Sequence, residues 1–192
     1  MKNSIKNVAA IVLVAFMTFS FTTIEGDKKE IKVEDSKVVW KGYKVTGEHE
    51  GLITLKSGHL NFKEEKLVGG SFVINMSTIT VTDLEGEYKG KLEGHLKSDD
   101  FFGVEKFPTS TLNFTKVKST GKNTYQVTGD ITIKGITESV TFNLSVNGNK
   151  ANAALKIDRS KFDVRYGSTS FFDDLKDKAI YDQFDIIVDL KF

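Results

Sequence analysis

The stretch YQVTGDITIKGITESVTFNLSV, from Tyr125 to Val146, carries the pattern that decides the fold. In its first half, apolar residues and one glycine alternate with polar residues as far as Ile133. After Gly135, a second alternation runs from Val140 to the end of the stretch. A period of two is typical of a strand with one buried face, so the stretch predicts an antiparallel β-hairpin.

The same one-sided alternation recurs along the chain, at residues 53–62, 72–76, 112–114, 151–157 and 184–190. A bend is expected at Ser57-Gly58, and Asn147-Gly148-Asn149 has the composition of a hairpin turn. Eight or nine strands of this kind fit either a two-layer sandwich or one closed sheet. Because closure removes exposed sheet edges, we expect a mainly β protein that forms an eight-stranded antiparallel barrel.

The period changes from two to four between Leu84 and Leu96, which predicts a helix. Glycines at 86, 90 and 94 run alongside the apolar positions. Each interior glycine costs about 1 kcal/mol relative to alanine, so this helix must depend on packing. We expect its glycine row to approach one end of the barrel closely.

Two segments combine a Phe-Phe pair with an Asp-Asp pair. In the first, Ser98, Asp99 and Asp100 have the order of a helix N-cap with acids in the first turn, and Phe101-Phe102 follow. The second, from Gly167 to Lys178, contains Phe171-Phe172-Asp173-Asp174. We expect two short helical pieces that cap one mouth of the barrel, with rings inward and carboxylates in water.

Small residues in the inward set indicate a cavity. Gly129, Ala151 and Ala153 occupy positions where a packed core would favour valine or leucine. An eight-stranded barrel has room either for its own side chains or for one small ligand. A filled interior, with small residues opposite large ones, remains the alternative at this point.

The N-terminus is typical of a secretory signal peptide over residues 1–22. Lys2 and Lys6 precede an apolar run from Val8 to Phe21, which is shorter than the ~20 residues of a membrane-spanning helix. Residues 23–36 mix charges and are expected to form a leader, followed by one domain over 37–192. A cleaved signal predicts a periplasmic or secreted protein.

Charge and cysteine content exclude several classes of protein. Outside the predicted signal peptide, which holds two of the 27 basic residues and none of the 26 acidic ones, the chain is nearly neutral. Such a chain lacks the basic surface that nucleic acid requires. With no cysteine, neither disulfides nor a lipid-anchored cleavage site can form.

The residues favour neither catalysis nor a metal site. Neighbouring aspartates in Asp99-Asp100 and Asp173-Asp174 would point in different directions, unlike a general acid and base. His49, His59 and His95 do not have the spacing of metal ligands. We therefore expect a non-enzymatic protein.

The chain resembles the YceI-like family of secreted bacterial lipid-binding barrels. Four blocks in the family's order carry the resemblance: Val38–Gly51, Gly94–Phe114, Tyr125–Phe142 and Ile157–Ser168. The resemblance implies a lipocalin-like antiparallel barrel in the periplasm, whose apolar cavity holds a polyisoprenoid such as a quinone tail or prenyl lipid. It implies no enzymatic activity and no required cofactor. Gly90 and Gly94 depart from the charged residues that the family often carries there.

We therefore expect a carrier or sequestering protein for a long apolar lipid. The expected ligand-binding residues are the inward apolar set and the cap: Phe72, Ile74, Met76, His95, Leu96, Phe101, Phe102, Leu112, Phe114, Tyr125, Val127, Ile131, Phe142, Leu144, Leu155, Ile157 and Phe184. The alternatives are an enzyme that acts on an isoprenoid lipid and a filled barrel that binds a protein. Transient membrane contact for lipid exchange and a homodimer stay open.

Arg159 is the charged residue most closely tied to the predicted interior. It follows the inward Ile157 at the end of a strand, which places it on the same face near a mouth. We expect it to pair with a carboxylate, Asp158 or Asp182. The alternative is a solvated arginine that contributes little to stability.

Overall fold

The computed structural model describes residues 26–192 as nine strands and one helix, α1, at Gly86–Lys97. The strands are β1 Asp27–Glu30, β2 Lys37–Lys44, β3 Gly47–Lys63, β4 Lys66–Val81, β5 Thr109–Gly121, β6 Thr124–Ile133, β7 Ile136–Asn147, β8 Lys150–Asp158 and β9 Gln183–Lys191. Short 3-10 turns lie at Val33–Asp35, Arg159–Phe162 and Lys176–Lys178. The predicted signal peptide lies outside the described residues and stays a prediction.

Strands β2 to β9 close into an eight-stranded antiparallel barrel. Consecutive strands pair from β2 round to β9, and β9 then pairs with β2, with Ile186 opposite Trp40. The barrel prediction is confirmed over the sandwich, because each of these eight strands pairs with a neighbour on both of its edges. The short β1 pairs with the far part of β3, beyond the portion that β2 covers.

The hairpin predicted from Tyr125 to Val146 is confirmed as β6 and β7. Tyr125 lies opposite Leu144, and Ile133 lies opposite Ile136. Lys134 and Gly135 between the strands both have positive φ, 51° and 76°. Two left-handed residues give a turn whose twist matches the flanking strands.

The bend predicted at Ser57-Gly58 is wrong, since β3 runs through it as one strand of 17 residues. The register with β4 shifts between Leu55 and Ser57, which marks a β-bulge. The ring of Phe72 covers Gly58, where a Cβ would lie 2.6 Å from the ring. The glycine therefore serves close packing rather than a turn.

The charged segment before the barrel is partly built into the sheet. Asp27–Glu30 form β1 and pair with residues 59–62 of β3, and Ile31 is buried in the core. The Lys29 ammonium lies 5.1 Å from the Phe62 ring centroid. Part of the charge-mixed segment that was expected to be a leader is therefore an exposed edge strand.

Helix α1 confirms the helical prediction, but its row of glycines does not pack against the barrel. At Gly86, Gly90 and Gly94 an added Cβ would meet no atom within 4 Å, so the expected close approach is wrong. The helix instead packs through Leu92 and Leu96. Its Glu93 carboxylate accepts a hydrogen bond from the Val81 N–H at the end of β4 (2.9 Å).

The two ends of the barrel differ. At one end, here the closed end, side chains fill the interior: Leu60, Phe62, Leu67, Tyr125, Val127 and Phe192. At the other, the cap end, α1 and the segments 98–108 and 159–182 cross the barrel. Met76 N–H bonds to Pro108 C=O (3.0 Å), and a bridge joins Lys44 to Ile180.

Candidate ligand-binding cavity

A cavity of about 170 Å³ lies inside the barrel between the closed end and the cap. Its wall is built from the inward faces of strands on all sides and is almost entirely apolar. Phe72, Phe114 and Phe142 form a chain of rings along it, with centroid separations of 5.6 and 5.8 Å. Among residues 26–192, Arg159 is the single charged residue on the wall.

Fourteen of the seventeen expected ligand-binding residues line this cavity. They are Phe72, Ile74, Met76, Leu96, Phe101, Phe102, Leu112, Phe114, Ile131, Phe142, Leu144, Leu155, Ile157 and Phe184. Several are only half-buried although they point inward, because the surface they expose faces the cavity. Alternation in the sequence therefore found the correct face of most strands.

The other three expected residues lie off the cavity wall. Val127 is fully buried at the closed end, where the Tyr125 hydroxyl accepts a hydrogen bond from the Leu67 N–H (3.3 Å). His95 lies behind the cap, with ring centroids 4.3 Å from Tyr166 and 5.6 Å from Phe101. For Tyr125 and Val127, the sequence pattern gave the correct face of the strand but not the depth along the barrel.

Strand residues missing from the expected set also line the cavity: Val38, Trp40, Ile53, Leu55, Ile79, Ile133, Ala153, Ile186, Val188 and Leu190. Most of them alternate along their strands with the same period of two as the expected ligand-binding residues. Trp40 donates its indole N–H to Thr80 C=O (3.0 Å) across the glycine at 51, where a Cβ would lie 1.7 Å from that oxygen. Ile180 and Tyr181 come from an irregular segment and carry no such signal.

The small inward residues do not all provide space. At Gly129 an added Cβ would lie 2.9 Å from Asn113 O and 3.0 Å from a Leu112 methyl, so this glycine permits close strand packing. Ala151 is fully buried and lies off the cavity wall. Of the three, only Ala153 lies on the wall.

The first Phe-Phe pair lies on the cavity wall at the cap end, and its role in closing the cavity stays a prediction. Phe101 and Phe102 are 7% and 9% exposed, with ring centroids 5.0 Å apart, and both lie on the cavity wall. The local structure differs from the expected N-cap. Ser98 is the C-cap of α1, where its N–H bonds to Gly94 and His95 carbonyls, and residues 99–102 form turns.

The second Phe-Phe pair does not face the cavity, which corrects the expected symmetric cap. Phe171 and Phe172 are 39% and 49% exposed. The segment forms turns and one 3-10 turn at Lys176–Lys178, without a helix to orient the pair inward. The Arg165 guanidinium lies 5.0 Å from the Phe171 ring centroid, on the outer surface.

Arg159 holds the irregular segment of the cap in place. Its guanidinium, on a residue only 2% exposed, donates to the carbonyls of Val164, Tyr166, Ile180 and Tyr181 at 2.8–3.2 Å. The predicted ion pair with Asp182 is confirmed, with Nη2 3.3 Å from Oδ1. Asp158 instead accepts hydrogen bonds from Ser160 (3.0 and 2.6 Å).

Burial dominates the electrostatics of this arginine. It lowers the pKa of Arg159 below its ordinary value, and the nearby carboxylates of Asp182 and Asp158 oppose that shift. An arginine starts so far above neutral pH that it stays protonated. The guanidinium is therefore a fixed charge whose donors are used by the protein backbone, 5.4 Å from the Phe101 ring centroid.

Residues 26–192 contain no cluster of three or more histidine, aspartate or glutamate side chains that could hold a metal. His49 pairs with Asp83 on the outside of the barrel, Nδ1 to Oδ2 2.7 Å. Within that same range, no helix has the length and apolar character to cross a bilayer.

Solved structures share this fold. A protein from Burkholderia cenocepacia, BcnA, is 24% identical, with a TM-score of 0.67 over 83% of this chain and 98% of its own. A domain from Saccharophagus degradans described as polyisoprenoid-binding is 13% identical, with a TM-score of 0.61 over 84% and 95% of the two chains. A Campylobacter jejuni YCEI protein is 18% identical, with a TM-score of 0.53 over 79% and 82%.

Curated relatives match over shorter stretches. A UPF0312 protein of Pseudomonas putida strain W619 is 48% identical over 54 residues, 28% of each chain. One from Azotobacter vinelandii is 34% identical over 83 residues, 43% of this chain and 41% of the relative. The matches therefore span less than half the length of these relatives. The model of the YceI-like domain matches residues 23–192, and the chain belongs to that family.

Proposed function

We propose that this protein binds a long apolar lipid, a polyisoprenoid such as a quinone or prenyl lipid, inside the barrel. It would act as a periplasmic carrier or as a sequestering protein. The observation that carries the proposal is an apolar cavity inside the barrel, on whose wall Arg159 is the one charged residue among residues 26–192 and already has protein partners. The structural similarity to a polyisoprenoid-binding domain supports the class of ligand.

The size of the cavity defines what binding requires. A volume of about 170 Å³ is close to the ~150 Å³ of an engineered cavity that takes up benzene, so it accepts one end of a lipid. A longer chain enters when wall side chains turn aside, and the flexible thioether of Met76 suits that role. Each five-carbon unit would contribute a gross ~3–4 kcal/mol at ~0.8 kcal/mol per CH₂.

Neither alternative has an observation in its favour. An enzyme acting on the lipid would need reacting groups on the wall. Three polar wall residues already have protein partners: Ser110 donates its hydroxyl to Thr132 C=O (2.7 Å), Asn152 donates to the Asp189 carboxylate, and Arg159 donates to backbone carbonyls. The neighbouring carboxylates Asp99 and Asp100 lie outside the cavity. A filled barrel that binds a protein does not account for the open apolar volume.

Ala153 offers a direct test with a matched control. Ala153→Phe places a ring in the cavity and should lower the affinity for a fluorescent prenyl probe at least about tenfold, since a filled site excludes the ligand. Ala154→Phe adds the same ring to the outer face of β8, where residue 154 is exposed, and should bind the probe like the parent protein. Trp40, the single tryptophan, lines the cavity and provides a second readout through its emission.

The result is interpretable only if both variants stay folded. Near-ultraviolet circular dichroism and thermal unfolding check that requirement. Unchanged probe affinity in folded Ala153→Phe would place the ligand elsewhere and contradict the proposal.

A further inference from the structure

We propose that the cap end docks onto the interface of a zwitterionic phospholipid bilayer, through an outer groove beside the cap. The proposal rests on the proposed function, because docking would let an apolar lipid pass between cavity and bilayer. The groove measures about 560 Å³, and its apolar floor is formed by Tyr166, Phe172 and Leu175. We call these three residues with their charged rim the mouth groove.

Exposed apolar side chains concentrate at this end of the barrel. Residues 26–192 expose nine large apolar side chains. Seven of them lie at the cap end: Val45, Tyr88, Ile136, Tyr166, Phe171, Phe172 and Tyr181. The other two are Val68, which lies at the closed end, and Ile187, which lies on the side wall in the middle of β9. Aromatic side chains that keep one edge in contact with water are enriched at the bilayer interface.

The charges around the mouth groove cancel. Its rim carries three acids, Asp99, Asp100 and Asp163, and three bases, Lys134, Arg165 and Lys178. A rim that carries both positive and negative side chains complements a headgroup that carries both a phosphate and an ammonium. It gives no net attraction to an anionic surface, so attachment should depend on the rings rather than on salt.

The mouth groove adjoins the cap residues that line the cavity. Asp99 and Asp100 on its rim directly precede the cap residues Phe101 and Phe102. From its floor, Tyr166 contacts His95 (ring centroids 4.3 Å apart), and His95 contacts Phe101 (5.6 Å). A surface seated in the groove would therefore press on side chains that hold the cavity shut.

The test is the rate of lipid transfer. Protein loaded with a fluorescent prenyl probe is mixed with phosphatidylcholine vesicles that contain a quencher, at a series of vesicle concentrations. If the protein docks, the transfer rate rises in proportion to vesicle concentration, because collision precedes release. The double variant Phe171→Ala/Phe172→Ala should lose most of that dependence, at least about fivefold in the slope, since two interfacial rings are removed.

Two controls separate docking from binding. Val68→Ala removes an apolar side chain that is 47% exposed at the closed end, and it should transfer like the parent protein. Release into soluble cyclodextrin should be equal for all three proteins, which shows that the cavity is intact.

Several outcomes would overturn the docking proposal while leaving lipid binding in place. One is a transfer rate independent of vesicle concentration in the parent protein. Another is transfer that requires phosphatidylglycerol and disappears in high salt, which would make the partner an anionic surface. A dimer in solution that the double variant abolishes would make the groove a contact between copies. Failure to load any probe would instead reject the proposed function itself.

Discussion

Replacing Arg159 by alanine should lower the free energy of unfolding by about 3–5 kcal/mol, the cost of breaking a buried ion pair from one side. Its guanidinium satisfies four backbone carbonyls and faces Asp182, whose carboxylate is 13% exposed. Without it, those carbonyls lose their donor, and the carboxylate loses its counter-charge and keeps only the hydrogen bond that the Ser170 hydroxyl donates to it (2.6 Å). Urea unfolding followed by circular dichroism measures the change.

Arg165→Ala is the matched control for this prediction. Arg165 also pairs with an aspartate, Asp163, at 2.5 Å, but the two side chains are 60% and 50% exposed. An exposed pair contributes ~0–1 kcal/mol, so this variant should unfold almost like the parent. If Arg159→Ala cost no more than Arg165→Ala, the buried arginine would not hold the cap segment.

Replacing Phe101 and Phe102 by alanine should speed the release of a bound prenyl probe by at least about tenfold, because two large apolar contacts that close the cavity disappear. The two rings contact each other, and Phe102 faces Phe184 with centroids 6.5 Å apart. Stopped-flow release into cyclodextrin measures the rate. Stability should fall as well, so the measurement is made well below the unfolding temperature.

The chain contains its own control for this experiment. Phe171→Ala/Phe172→Ala removes a second Phe-Phe pair that is exposed and lies off the cavity wall. Release into cyclodextrin should not change in that variant. Equal acceleration in both variants would show that Phe101 and Phe102 do not close the cavity.

The aspartates beside the cap should matter little. The structure places Asp99 after the end of α1, where it forms an exposed ion pair with Lys106 (2.6 Å), and gives it no helix N-terminus to stabilise. Asp99→Asn/Asp100→Asn should therefore change the unfolding free energy by less than about 1 kcal/mol and leave probe affinity unchanged. Loss of a turnover reaction in this folded variant, with binding intact, would make the pair catalytic.

The barrel wall could be predicted because each strand buries one face. Period-two alternation from Tyr125 to Ile133 reports which side chains point inward, and this holds for any strand of a closed sheet. The position of a residue along the barrel axis produces no such pattern in the sequence. For that reason Val127 and Ile131 look alike in the sequence, although one fills the closed end and the other lines the cavity.

Away from the hairpin turns at Gly135 and Gly148, the role of a glycine could not be predicted from the sequence. Gly58 follows a bulge and lies under a ring, Gly129 lies against a neighbouring strand, and Gly90 faces open space. Sequence alone does not say which atoms approach a missing Cβ. For that reason the sequence predicts a bend at Gly58, cavity space at Gly129 and helix packing at Gly90, none of which the structure shows.

The irregular cap could not be predicted from local pattern, because distant contacts hold it. Residues 164–181 are ordered around Arg159 through four carbonyls. Two segments with the same Phe and Asp composition therefore adopt different environments: Phe101 is buried, and Phe171 is exposed.

Lipid extraction and mass spectrometry of the protein purified from its native host test the central claim most directly. An apolar isoprenoid should co-purify near one molecule per protein, and it should be depleted from Ala153→Phe but not from Ala154→Phe. A protein that carries no lipid and takes up no prenyl probe when folded would contradict it.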